Sequence, residues 1–161
     1  QACRGIFRGA VPTARRRLHV YTPCVADISQ PLERSQLFAR IGGEAAVRRL
    51  VDTFYDLMDQ LPEARELRAL HPPALDGSRD KLHWFLVGWM GGPPLYASRF
   101  GHPRLRARHL PFAIGVAERD AWLRCMNAAL ATCIDDAAAR AVLHEALTQL
   151  ADHMRNQPEG A

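Results

Sequence analysis

The seven histidines, at 19, 71, 83, 102, 109, 144 and 153, offer the widest choice of chemistry in the sequence. No two of them have the HExxH spacing, or the spacing with a cysteine, that would hold a zinc ion. Ser78 and Ser98 lack the context of a nucleophile elbow. The pairs Gly42–Gly43 and Gly91–Gly92 lack the lysine or third glycine of a phosphate-binding loop. The carboxylates fall mainly on solvent faces beside arginines, not in pairs set for proton transfer, so ordinary enzyme active sites find no support. What stands out is a set of polar-tipped side chains on inward faces of apolar segments: Tyr55, His71, Trp84, Trp89, Tyr96, His109 and Trp122. A buried Tyr O–H or Trp N–H costs free energy unless it finds a partner. Either each bonds to a backbone carbonyl, or several converge on one cavity that holds something polar. Spacing alone admits both.

The elements that must position these residues are helices. Leu37, Phe38 and Ile41 make a short one that Gly42–Gly43 stops. Val47, Leu50, Val51, Phe54, Leu57 and Met58 recur at three and four residues, the mark of one buried helical face. Pro62 opens a short helix to about Leu70, and Pro72–Pro73 breaks it. Asp76 is expected to N-cap the next helix, which carries Leu82, Phe85, Leu86 and Trp89 and stops at Gly91–Gly92–Pro93–Pro94. Leu95 to His109 reads as short helix mixed with loop, closed by Pro111. Two long helices follow, one with Trp122, Met126, Ala129, Leu130 and Cys133. The other, capped by Asp135 or Asp136, has Leu143, Ala146, Leu147, Leu150 and Met154. No segment alternates with period two, so the fold class is all-α.

With 161 residues, 48% of them apolar and 24% charged, the chain has the balance of one soluble globular domain. No apolar run approaches the ~18 residues of a membrane span. The charge is uneven. Residues 1–34 hold six arginines against Asp27 and Glu33, whereas residues 35–161 sum to zero. The basic character therefore belongs to an N-terminal arm, read as disordered, and a nucleic-acid partner is not expected. The first 20 residues are Arg-rich and acid-free, the composition of a transit peptide, although the chain begins at Gln1 and an overlong gene model explains it equally well. Cys125 and Cys133 stand about 12 Å apart along a helix, too far for a disulfide. With Cys3 and Cys24 they read as reduced thiols of a cytoplasmic protein. The domain boundaries expected are an arm over 1–34, a folded domain over 35–157 and a tail over 158–161.

Six segments, in order, carry a resemblance: Phe38 to Glu44, Phe54–Tyr55, Leu70–His71–Pro72, Gly91 to Tyr96, Gly101 to Phe112 and Glu118 to Met126. Over about residues 36–155 the chain resembles the group II truncated haemoglobins. The most specific part is the Arg-x-Arg-His-x-Pro-Phe run with Trp122 thirteen residues after its histidine. The resemblance implies a shortened globin, a two-over-two helical sandwich around haem b. It implies His109 as proximal ligand to the iron, the other ring N–H being held by a backbone acceptor. Tyr55, His71 and Trp122 are implied as distal hydrogen-bond donors, with Ser78 and Leu82 facing the bound gas. Tyr96 and Arg108 are implied at the haem propionates, and Phe54, Phe85, Leu86, Trp89, Phe112 and Met126 at the porphyrin walls. The implied function is reversible binding of dioxygen, NO and CO at a pentacoordinate iron. A haem-dependent enzyme acting on nitric oxide or peroxide, served by a reductase, is the alternative. A monomer or weak homodimer with no membrane partner completes the expectation.

Overall fold

In the computed structural model the described residues are 33–158. Cys3, Cys24, most of the arm and the end of the tail lie outside them. Two residues expected in the arm, Glu33 and Arg34, are built into the body: Arg34–Gln36 form a 3-10 turn, and the Arg34 guanidinium lies 4.6 Å from the centre of the Trp89 ring.

The described residues form eight α-helices and two 3-10 turns, with no strand among them. The helices are α1 (Leu37–Arg40), α2 (Gly43–Gln60), α3 (Arg65–Ala69), α4 (Asp76–Trp89), α5 (Leu95–Phe100), α6 (Leu105–His109), α7 (Val116–Cys133) and α8 (Ala137–Met154). The second 3-10 turn, Pro62–Ala64, begins at the proline expected to open a helix there. Asp136 caps α8, its carboxylate accepting from the N–H groups of Ala138 and Ala139 at 3.0 Å each. Asp76 does not cap α4. Leu75 takes the N-cap position in a helical backbone conformation, and the Asp76 carboxylate falls in the first turn instead.

Helix α2 packs against α4 on one side and α7 on the other, and α7 packs against α8. Two helix pairs therefore lie one across the other. Their shared core includes Leu50, Phe54, Met58, Leu86, Met126, Leu130, Leu143 and Leu147, each at most 1% exposed. Arg79 reinforces the α2–α4 contact by donating to the Asp52 carbonyl at 2.8 Å and the Asp56 carboxylate at 2.6 Å. At the end of α4, Gly91 adopts φ +97°, and a Cβ there would sit 1.9 Å from the Ser35 carbonyl oxygen. Only glycine meets both demands. This close approach lets Phe38 donate its N–H to the Met90 carbonyl, joining α1 to α4. Cys125 and Cys133 are free thiols, as expected. Among the described residues no helix is long and apolar enough to cross a membrane.

Candidate functional site

The short helices α5 and α6 leave a gap between the α4 face and the α7–α8 pair. That gap is a cavity of about 570 Å³, within the ~300–1,000 Å³ of small-molecule and cofactor sites. His109 ends α6 on its lining. Its Nδ1 lies 2.7 Å from the Leu105 carbonyl oxygen one turn earlier. A carbonyl can only accept, so Nδ1 carries the proton and Nε2 keeps a lone pair. An imidazole that binds a metal through Nε2 needs that tautomer. Asn156, beyond α8, clamps the same helix end by donating from Nδ2 to the His109 carbonyl at 3.2 Å and the Phe112 carbonyl at 2.8 Å.

Across the cavity stands a run of aromatic contacts. The Trp122 ring lies 5.3 Å from Phe54, Phe54 lies 4.9 Å edge-on to Tyr55, and Tyr55 lies 5.8 Å edge-on to His71. Tyr55 is 5% exposed. Burial pushes its hydroxyl up to about 12, against a smaller opposing effect from its hydrogen bond with Ser78 and from the Arg79 charge. The phenol therefore stays protonated and remains a donor. Among the described residues no acceptor meets the Trp122 indole N–H. His71 differs from expectation. Its Nδ1 donates to the Leu67 carbonyl at 3.0 Å, so Nε2 presents a lone pair. Burial holds its pKa below the ordinary value, with Arg68 and His109 adding to the effect, so the protonated form that could donate is disfavoured.

Ten expected site residues line this one cavity: Tyr55, His71, Ser78, Leu82, Phe85, Tyr96, Arg108, His109, Phe112 and Trp122. Phe54, Leu86, Trp89 and Met126, expected at the porphyrin walls, do not line it. Phe54 and Leu86 each adjoin a lining residue, but one helical step of about 100° turns them into the core. Met126 and Trp89 sit a full turn beyond Trp122 and Phe85. Met126 has entered the core there, and Trp89 packs between Phe85 and Arg34. Sequence reasoning missed Lys81, Phe100, Leu105, Leu150 and Met154 on the lining, and Asn156 behind it. As the chain's single lysine, Lys81 had a signal; Leu150 and Met154 carry only the periodicity of any core face.

Among the described residues no group of three or more His, Cys, Asp or Glu side chains could hold a metal ion. A lone imidazole binds a metal firmly only when a carrier supplies the remaining ligands. The cavity joins that imidazole to an apolar slot with Lys81 and Arg108 on its lining, which fits a flat macrocycle bearing carboxylates.

Comparison with known proteins bears on the same point. Residues 36–156 match the family model of bacterial-like globins. The chain belongs to the bacterial-like globin family, among the group II truncated haemoglobins. It is 42% identical over 117 residues to the group 2 truncated hemoglobin YjbI of Bacillus subtilis, which covers 73% of this chain and 86% of that protein. The group II 2-on-2 hemoglobin of Agrobacterium tumefaciens is 45% identical with a TM-score of 0.75, covering 81% of this chain and all of that one (100%). The cold-adapted truncated hemoglobin of Pseudoalteromonas haloplanktis is 41% identical, also with a TM-score of 0.75, over 76% of this chain and 99% of its own. The crossed pairs α2–α4 and α7–α8 are the two-over-two sandwich of a truncated haemoglobin, and the family implies haem as the cofactor.

Proposed function

We propose that this truncated haemoglobin binds haem b through His109 Nε2 and holds diatomic gases (dioxygen, NO or CO) at a pentacoordinate iron. The observation that carries the reading is the fixed His109 tautomer, whose bare Nε2 stands on a large cavity that also holds polar donors. Haem, when bound, supplies an iron that coordinates a gas reversibly. Lys81 and Arg108 receive its carboxylates; Arg108 spends only Nε on the Pro103 carbonyl, at 3.0 Å, which leaves its terminal N–H groups for a charged partner. Phe85, Leu82 and Phe112 supply apolar surface.

Tyr55 and Trp122 serve as the donors to a diatomic ligand in the cavity. Ser78 orients the Tyr55 hydroxyl, and His71 offers an acceptor that keeps a proton or water at the site. Each donor contributes about 0.5–1.5 kcal/mol. Two together slow ligand loss by roughly 10- to 100-fold, at ~1.4 kcal/mol per decade. Such retention favours tight binding over delivery. It also suits redox conversion of nitric oxide or peroxide, which would need an electron donor.

The test is expression with haem supply, followed by spectra of the ferric, ferrous and oxygenated protein. His109→Gly is expected to lose the globin spectrum and regain it with added imidazole. A His109→Ala protein with an unaltered ferrous-oxy spectrum would falsify the assignment.

A further inference from the structure

The zero net charge of residues 35–161 hides a segregation. From Lys81 to Ala117 the chain has five basic residues, Lys81, Arg99, Arg104, Arg106 and Arg108, and no Asp or Glu. The balancing acids all lie before or after that stretch, Glu118 among them on the cavity lining, so α5, α6 and the loops around them carry a net positive charge of their own. All five side chains are exposed. None takes part in an ion pair among the described residues; Arg40, Arg48, Arg68, Arg79 and Arg119 elsewhere do, while Arg34, Arg49, Arg65, Arg124 and Arg140 do not. Lys81 and Arg108 line the cavity that holds His109, and Arg99, Arg104 and Arg106 lie on or beside α5 and α6, which adjoin it.

We propose that this rim is the docking surface for an acidic one-electron carrier protein, of the flavin or iron–sulfur class, that reduces the haem. The inference rests on the haem reading above. Haem carboxylates can neutralise at most Lys81 and Arg108, which leaves Arg99, Arg104 and Arg106 uncompensated. Two of these are held in place. Arg99 stacks 4.5 Å over Trp84 and donates to the Leu95 carbonyl at 2.9 Å, and Arg106 donates to the carbonyls of His153 and Arg155. Held cations lose little side-chain entropy when a partner arrives. Leu110, 59% exposed, stands among them, so the surface combines a charged rim with an apolar contact, as protein interfaces do. Electron transfer weakens steeply with distance, which favours docking close to the cofactor, and α5 and α6, which carry or adjoin these residues, line the cavity through Tyr96, Phe100, Leu105 and Arg108. In the step one electron passes from the reduced carrier to ferric iron. The carrier is oxidised by one electron, the iron becomes ferrous, and no bond to carbon, nitrogen or oxygen needs to break.

The experiment uses the haem-loaded full chain and a reduced acidic [2Fe–2S] ferredoxin, mixed under argon in a stopped-flow spectrometer, with calorimetry of the oxidised pair. Raising ionic strength from ~20 to ~300 mM is expected to slow reduction about tenfold, since steering charges are screened. The double variant Arg99→Glu with Arg104→Asp is expected to slow it about tenfold at low salt and to weaken binding in parallel. Arg49→Glu with Arg124→Glu removes the same charge from other faces and is expected to match the wild type. Both variants should keep the wild-type haem spectrum and its reduction by dithionite. Without that spectrum the haem reading itself fails. With it, a salt-independent rate, or equal slowing in both variants, overturns the docking surface. So does a rim variant that loses binding to duplex DNA or phosphatidylserine vesicles while its reduction by ferredoxin is unchanged.

Discussion

The side-chain amide of Asn156 donates to the backbone carbonyl of His109 across 47 residues of sequence, so a residue beyond α8 fixes the end of α6. Its other contacts complete a clamp: Nδ2 reaches the Phe112 carbonyl, Oδ1 accepts from the Ile114 N–H at 3.0 Å, and its own N–H donates to the Ile114 carbonyl. Asn156→Ala removes these three side-chain bonds and a weaker fourth, which Oδ1 accepts from Gln157 Nε2 at 3.3 Å. At about 0.5–1.5 kcal/mol each, discounted for partial exposure, the loss is about 2 kcal/mol. Urea unfolding should show a lower midpoint with unchanged slope. Haem transfer to an apo-globin acceptor should run faster, because the imidazole proposed to hold the haem is less firmly placed. Faster unfolding with haem retention unchanged would separate Asn156 from the site.

Tyr55→Phe tests the donor assigned to the distal wall. Removing one hydroxyl bond worth about 0.5–1.5 kcal/mol should raise the oxygen dissociation rate about 2- to 10-fold. CO, whose bound form carries less negative charge, should respond less. Because the phenol holds its proton up to about 12, the wild-type rate should show no tyrosine titration at ordinary alkaline pH. Stopped-flow displacement of oxygen by CO measures both, and a Tyr55→Phe rate equal to the wild type would remove Tyr55 from the donor set.

Much of this arrangement was legible in the sequence. The three- and four-residue periodicity of Val47 to Met58 and the glycine and proline stops located the long helices, because those signals are local. The Arg-x-Arg-His run led to His109, and the helical turn from Leu105 explains why its ring nitrogen finds a carbonyl. Other features were illegible for physical reasons. Phe54 and Leu86 are one residue from the lining, and sequence cannot resolve a 100° step around a helix whose neighbours are unknown. The lone pair of His71 depends on which carbonyl its Nδ1 meets. Asn156 acts through contacts more than forty residues away. The basic rim vanished in a net-charge sum because distant acids cancelled it.

His83 predicts an acid-side loss of stability. It lies at the α2–α4 seam, 5% exposed, and its Nε2 has no hydrogen-bond partner. Glu44 stands 3.8 Å away and favours the charged ring, as does Asp80. Burial, aided by the Arg48 charge, outweighs them and holds the pKa below 6.5. The contact with Glu44 is therefore no charged pair at neutral pH. A histidine with a depressed folded pKa resists protonation that the unfolded chain accepts. Its share of stability is present above 6.5 and is lost as pH falls from 6.5 toward the folded value. Unfolding free energy should accordingly drop between about pH 7 and pH 5, and His83→Gln should make that drop shallower while His71 retains part of it. An unchanged slope would assign the loss to other groups.

Gly91→Ala should be among the most damaging single substitutions in the protein. The new methyl would lie 1.9 Å from the Ser35 carbonyl oxygen, a backbone atom that cannot swing aside, and φ of +97° strains any residue with a Cβ. Positive φ alone costs about 1–2 kcal/mol. Relieving the overlap would also separate the Arg34–Gln36 turn from α4 and break the Phe38 to Met90 hydrogen bond. The expected loss is about 4 kcal/mol or more, of the size that follows from core overpacking. Gly77→Ala is the matched control. Its Cβ would meet nothing within 4 Å near the start of α4, and alanine's better helix propensity should leave stability unchanged or raise it by about 0.5 kcal/mol. Urea midpoints of the two variants decide the matter. Equal midpoints would mean that the contact between Ser35 and Gly91 does not hold α1 against α4.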